Sequence, residues 1–212
     1  DTLGVYLVSI RIPDFLFQLI IAGALSSAFI PIFSDHLIKG KEKEGHKLAS
    51  TLLFVSLIIF SLFSLILFVF AKDVSLLVAP GFTSEQISLM ANLMRIIIFG
   101  EILFIIGSFL SAMLQSYNHF FIPGIASALY NLGIILGILF LSPYVGIFSA
   151  AYGVILGALI FVLIQLPFIK NLGFSFRPAM SITAIKSSGV LGVFKLIWQR
   201  TLSIAVFQLG PL

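Results

Sequence analysis

The sequence predicts an all-α protein, a polytopic bundle of membrane-spanning helices. Three observations carry that reading. Of 212 residues, 60% are hydrophobic and only 9% are charged, whereas an ordinary soluble domain uses roughly 25% charged residues to cover its surface. Mean hydropathy is +1.20, and the apolar residues recur in blocks near the ~20 residues that a helix needs to cross a bilayer. No charged residue occurs anywhere from Phe120 to Ile169. Lipid accommodates such a surface, and within it a helix satisfies its own backbone hydrogen bonds.

Six segments follow in order. The first runs from about Ile12 to Phe33, the second Leu48 to Ala71, the third Leu89 to Leu114, the fourth Phe121 to Leu141 and the fifth Phe148 to Ile169. A sixth begins near Gly189 and is truncated, so the bundle has about five complete spans plus a partial one. Leu141-Ser-Pro-Tyr-Val-Gly146 reads as the turn between the fourth and fifth. In the first span Pro13 and Pro31 lie near the ends and Gly23 midway, a pattern that predicts a bend or local unwinding of the kind found at transporter sites. Gly133-xxx-Gly137 and Gly153-xxx-Gly157 fall in adjacent spans. Their spacing predicts close packing of two helices. The chain begins at Asp1 rather than Met and stops at Gly210-Pro211-Leu212 inside an apolar stretch, so it is expected to be part of a longer protein.

Charge sorts the loops. Those after the first, third and fifth spans share a face and carry Lys39, Lys41, Lys43, Lys47, Lys170, Arg177 and Lys186. The loops opposite carry only Lys72. Seven against one is a positive-inside bias, which places residues 35–47 and 170–188 in the cytoplasm and the start of the chain on the outer face. The net charge of +4 therefore reads as topology and not as a nucleic-acid partner.

No catalytic or metal-binding constellation is present. His36 and His46 lie in a lysine-rich loop and His119 in a turn, none at the spacing of a metalloenzyme motif. There are no cysteines, and no P-loop or nucleotide fingerprint. The sequence points to a non-enzyme with no cofactor. What remains are polar groups within the spans, which are costly there and suggest function by default. Arg11 and Asp14 stand three apart and could pair on one helix face, with Gln18 one turn further. Arg95 and Glu101 lie in the third span, Asn131 in the fourth, Gln165 in the fifth, and Lys195 and Arg200 in the sixth. Arg95, Lys195 and also Arg11 are close enough to span ends to snorkel to the interface, and Asn131 and Gln165 suit hydrogen bonds between helices. Asp14, Glu101 and Arg200 should face a cavity or one another.

Several strings carry a resemblance. Arg11-Ile-Pro-Asp-Phe15 followed by Gly23-Ala-Leu-Ser-Ser-Ala-Phe-Ile-Pro31 resembles the second helix of the MurJ/MviN family of lipid II flippases. Ala79-Pro-Gly-Phe82, Leu114-Gln-Ser-Tyr-Asn118 with Pro123, Leu129-Tyr-Asn-Leu-Gly133 and Gln165-Leu-Pro167 are similar to later family segments, in order and in register. The resemblance implies a two-lobed transporter of the multidrug/oligosaccharidyl-lipid/polysaccharide exporter superfamily, working by alternating access in the bacterial cytoplasmic membrane. Residues 1–188 would be most of the first lobe, lacking its first helix, and 189–212 the start of the second. The cargo would be lipid II, the lipid-linked peptidoglycan precursor, with membrane lipids and cell-wall synthesis proteins as further partners. Arg11, Asp14, Gln18, Asn131 and Arg200 would bind the substrate. The family's paired arginines of the second helix are here Phe17 and Gln18, and its glutamate before the glycine of that helix is Ala22. Those departures leave open an exporter of other lipid-linked oligosaccharides or of drugs, or a non-transporting cell-wall scaffold.

Overall fold

A computed structural model describes residues 2–19 and 29–180, and every regular element among them is helical. In chain order these are α1 (Thr2–Phe17), α2 (Ile30–Ile38), α3 (Glu42–Val69), α4 (Ala71–Val78), α5 (Ser84–Ser116), α6 (Phe121–Val145) and α7 (Phe148–Asn171). Four of them, α3, α5, α6 and α7, are long and apolar enough to cross a membrane. Their outward faces carry Leu62, Phe63, Leu65, Ile66, Leu139, Phe140 and Leu163 in exposed positions, which suits contact with lipid.

α5 organises the bundle. Its 33 residues extend about 50 Å at 1.5 Å rise per residue, and it packs against all six of the other helices. A helix with neighbours around most of its circumference must be apolar on most faces, and α5 buries Met90, Ile98, Met113, Leu110, Leu114 and Leu93 at successive angles around its axis. Its start is fixed by a capping box, in which Gln86 N donates to Thr83 Oγ1 (3.3 Å) and Thr83 N to Gln86 Oε1 (2.9 Å). Its end is a Schellman turn. His119 N donates to Leu114 O and Asn118 N to Gln115 O, both at 2.9 Å, with Asn118 left-handed at φ 62°. Asparagine tolerates that conformation better than most side chains.

The α6–α7 pair is set by glycine. The two helices run antiparallel, so Gly133 faces Gly157 and Gly137 faces Gly153. A Cβ on Gly133 would stand 2.5 Å from the Gly157 Cα, and one on Gly137 would press as hard on Gly153. The backbones therefore approach as closely as the motif allows, and these glycines serve packing within the lobe. Two further glycines do the same on α5. A Cβ on Gly100 would lie 2.7 Å from Val154 Cγ1, and one on Gly107 would overlap the Phe161 ring.

Four expectations shift. The first span was expected to start near Ile12, but α1 already begins at Thr2. Arg11 and Asp14 depress the local hydropathy without ending the helix, so they sit within it and not at its start. Pro13 lies inside α1, the backbone turns π-helical at residues 18 and 19, and it is π-helical again at 29. Gly23 itself lies outside the described residues. The turn expected over Leu141–Gly146 is narrower, because α6 continues through Pro143 and the chain reverses at Gly146 (φ 57°). Between α3 and α5 the chain forms the short helix α4, where the sequence predicts the end of a span and a loop. The sixth segment, from Gly189, lies outside the described residues.

Gly137→Leu in the full-length protein is expected to separate α6 from α7 and lower stability by about 1–3 kcal/mol. Gly124→Ala, whose added Cβ meets nothing within 4 Å, should leave the thermal unfolding midpoint in detergent unchanged or raised. Equal midpoints for Gly137→Leu and the unmodified protein would contradict the packing role.

Candidate functional site

The polar groups of α1 are positioned by its buried stripe. Val5, Ser9, Pro13 and Phe17 recur every four residues and face the bundle, which rotates Arg11, Asp14 and Gln18 away from the tightest contact. Pro13 has no N–H to offer the Ser9 carbonyl. The Ser9 hydroxyl meanwhile donates to Tyr6 O at 2.7 Å. Asp14 is half-buried and its Oδ2 accepts from Gln18 Nε2 at 2.8 Å. The expected Arg11–Asp14 pair does not form. The amide one turn on takes the carboxylate, and Arg11 stays exposed, in no hydrogen bond or ion pair among the described residues.

Across from α1, Glu101 of α5 is 7% exposed, and its Oε2 has no hydrogen-bond partner among the described residues. Asp14 acts on it electrostatically, and Glu101, Asp14 and Tyr6 act on Tyr130 in the same way. Glu101 was singled out in the sequence as an intramembrane acid but not as a site residue. Its burial against α1 brings it into the same neighbourhood as Asp14.

Next to the end of α1 opens a cleft of about 560 Å³ between α1, α2, α5, α6 and α7. Phe17, Phe104 and Phe161 form an aromatic wall, with Phe17 edge-on to Phe104 at 5.2 Å and Phe104 stacked on Phe161 at 5.1 Å. Ser108, Ser111, Gln115 and Ser127 supply its polar side, and no charged side chain lines it among the described residues. Such a cleft can hold uncharged polar groups against aromatic faces. An anion would need the cations at its margins.

The remaining polar residues sort themselves by geometry. Gln165 is fully buried and joins α7 to α5, accepting from Ser111 Oγ (2.8 Å) and donating to Gly107 O (3.2 Å) and to its own helix at Phe161 O (2.7 Å). That matches the expected interhelical role. Asn131 does not. It is exposed and donates to Ser127 O one turn back on α6 at 3.0 Å, so it neither links helices nor lines the cleft. Arg95 is half-buried and lies over the Phe68 ring at 5.6 Å. It donates to Phe68 O (3.1 Å) at the end of α3 and to Asn92 Oδ1 (3.1 Å). A cation at a helix C-terminus is favourably placed, which gives Arg95 a structural role. Arg200 and Lys195 lie outside the described residues. Among the described residues no group of three or more His, Cys, Asp or Glu could hold a metal ion.

With this geometry in view, the chain can be compared with known proteins. The family model described as lipid II flippase MurJ matches residues 2–212. A probable lipid II flippase MurJ from Buchnera aphidicola subsp. Baizongia pistaciae is 31% identical over 209 residues, which is 97% of this chain and 40% of the relative. The lipid II flippase MurJ of Burkholderia cenocepacia is 30% identical over 219 residues, covering 97% of this chain and 41% of the relative. A solved structure described as lipid II flippase MurJ in an inward closed conformation superposes with a TM-score of 0.73 at 24% identity, over 99% of this chain and 42% of that one. The chain thus spans about 40% of the length of the curated relatives it matches.

Gln165→Leu is expected to leave Ser111 and the Gly107 carbonyl without their partner and to cost about 1 kcal/mol, the scale of an interhelical hydrogen bond in a membrane. Denaturant titration of the full-length protein in detergent checks this. A Gln165→Leu, Ser111→Ala double variant should lose less than the sum of the two single changes.

Proposed function

The chain belongs to the lipid II flippase MurJ family, and from that premise we propose that the protein carrying it moves lipid II from the cytoplasmic to the outer leaflet by alternating access. It acts as a transporter and not as a catalyst. On this reading residues 1–188 belong to one lobe and 189–212 open the other. The membrane is the bacterial cytoplasmic membrane, with residues 35–47 and 170–188 inside. Cell-wall synthesis proteins are its natural neighbours.

The observation that carries the proposal is the state of Arg11. A guanidinium on an apolar helix, left exposed while the nearby carboxylate is taken by Gln18, is a cation free to meet an anion. Moving a diphosphate across hydrocarbon bare would cost several kcal/mol or more per charge. Arginine offers a planar, bidentate, permanently charged fork that offsets this cost. In the proposed mechanism Arg11 and Arg200 hold the diphosphate, while Asp14 and Gln18 hold the edge of α1 at the cavity margin. The aromatic cleft beside them accepts uncharged parts of the headgroup, and the lipid tail stays in the bilayer. The π-helical backbone at residues 18, 19 and 29 is the kind of local departure that often marks functional sites. Asn131, bonded to its own helix and exposed, takes part only as an outward-facing polar group.

A second reading keeps the fold and changes the cargo. Its support is the cleft lining, which is uncharged among the described residues, together with the acids Asp14 and Glu101 nearby. These features fit an exporter of other lipid-linked oligosaccharides or of cationic drugs.

In a bacterium depleted of its own flippase, the full-length gene is expected to restore outer-leaflet lipid II. Arg11→Ala should lower that restoration tenfold or more, and Arg11→Lys should fall between, since it keeps the charge but loses the fork. Failure of the unmodified gene to restore outer-leaflet lipid II, with export of a cationic dye instead, would favour the second reading.

A further inference from the structure

Two basic segments far apart in sequence meet at one end of the bundle. Lys43, His46 and Lys47 begin α3, and Gly173, Ser175 and Arg177 follow α7. Together they line a pocket of about 430 Å³. We infer that this pocket binds the phosphate headgroup of a lipid, with Lys43, Lys47 and Arg177 as its cations.

The pocket is built and not a chance crowding of surface charge. The strand of chain after α7 is tied to α3 by two backbone amides. Arg177 N donates to Ser50 Oγ at 3.1 Å, and Ala179 N to Thr51 Oγ1 at 2.9 Å. Each hydroxyl gives its own proton to its helix, Ser50 to His46 O (2.8 Å) and Thr51 to Lys47 O (2.7 Å). Its lone pairs therefore face the incoming amide. This arrangement brings Arg177 to the pocket that Lys43 and Lys47, one turn apart on α3, also line. His46 forms the back wall. Its ring is hydrogen-bonded to the Tyr117 hydroxyl at 2.9 Å, stacks on Phe33 and meets Phe174 edge-on at 5.4 Å.

Charge pairing then separates these cations from their neighbours. On the same loop Lys39 is bonded to Asp35 at 2.7 Å and Lys41 to Glu44 at 3.3 Å. Lys43, Lys47 and Arg177 enter no ion pair or side-chain hydrogen bond among the described residues. The local acids are thus spent outside the pocket, apart from Glu42, which acts on His46 from one turn earlier. Three like charges converging without a counter-ion favour an anion between them. Arg177 suits the oxygens of a phosphate as a fork and the lysines as point charges. The Ser175 side chain adds a donor. The volume fits a small headgroup better than a lone ion. The depth also fits, because the apolar run of α3 starts at Leu48, directly after Lys47, and so places the pocket at headgroup level. The inference needs only that this end of the bundle meets a phospholipid leaflet, and it stands whether or not lipid II is the cargo.

The test uses the full-length protein in detergent with bound lipid counted by native mass spectrometry. Phosphatidylglycerol is expected to be retained at least tenfold better than phosphatidylcholine. The preference should fall to near parity in Lys43→Gln/Lys47→Gln/Arg177→Gln and persist in the control Lys39→Gln/Lys41→Gln. All these side chains are exposed, and unchanged unfolding midpoints establish that the variants fold. A polyprenyl diphosphate arm separates the sources. Displacement of phosphatidylglycerol by it, lost in the triple variant, assigns the same pocket to a cargo headgroup. No preference in the unmodified protein, an equal preference in the triple variant, or displacement by inorganic phosphate at the same concentration as by lipid would overturn the inference.

Discussion

The lobe depends on how much can be packed around one helix. α5 touches every other helix described, so each neighbour must reach it without displacing the next. In a membrane there is no hydrophobic drive between helices, because lipid is as apolar as leucine. Close contact has to come from small residues and a few buried hydrogen bonds. Gly100 and Gly107 open the space that Val154 and Phe161 of α7 fill, and the Gln165 amide reaches the Gly107 carbonyl through the same gap. With α7 seated on α5, the glycine pairs of α6 and α7 add α6 as an outer layer whose far face meets lipid.

That arrangement explains why polar groups in similar positions do different things. Gln165 and Arg95 both lie in membrane helices, yet both are spent on structure, one on α5 and one on the end of α3. Arg11 and Glu101 are not. Arg11 is exposed with its nearby acid occupied, and Glu101 is buried with an oxygen unpartnered among the described residues. Arg11 stands on α1, and Glu101 on the α5 helix that α1 packs against.

The basic end follows a similar logic. Helices α2, α5 and α7 all stop there in left-handed turns, at Gly40, Asn118 and Gly173. Their exits surround the start of α3. His46 fills the centre with Phe33, Tyr117 and Phe174 around it, and the basic residues are pushed to the rim. The two lysine- and arginine-bearing loops that sorted to one face by sequence do meet at one end of the fold.

Much of this was legible in the residues themselves. Hydropathy located the second to fifth spans, because hydrocarbon imposes one length and one composition on any helix that crosses it. The glycine spacing foretold the α6–α7 contact, and the motif strings pointed to the family. Other features had no local signal. Arg11, Asp14 and Gln18 sit at spacings that allow either an ion pair or an amide–carboxylate bond, and only the rotation of α1 against α5 selects the second. Asn131 and Gln165 look alike as lone amides in apolar helices, yet one faces out and the other is buried, since the side a residue occupies depends on which helix lies beside it. The pocket at the basic end joins residues some 130 positions apart in the sequence, a juxtaposition that no periodicity encodes. Sequence sets what each segment must be in lipid. The packing of segments on one another decides which polar groups are consumed by the structure and which remain free to act.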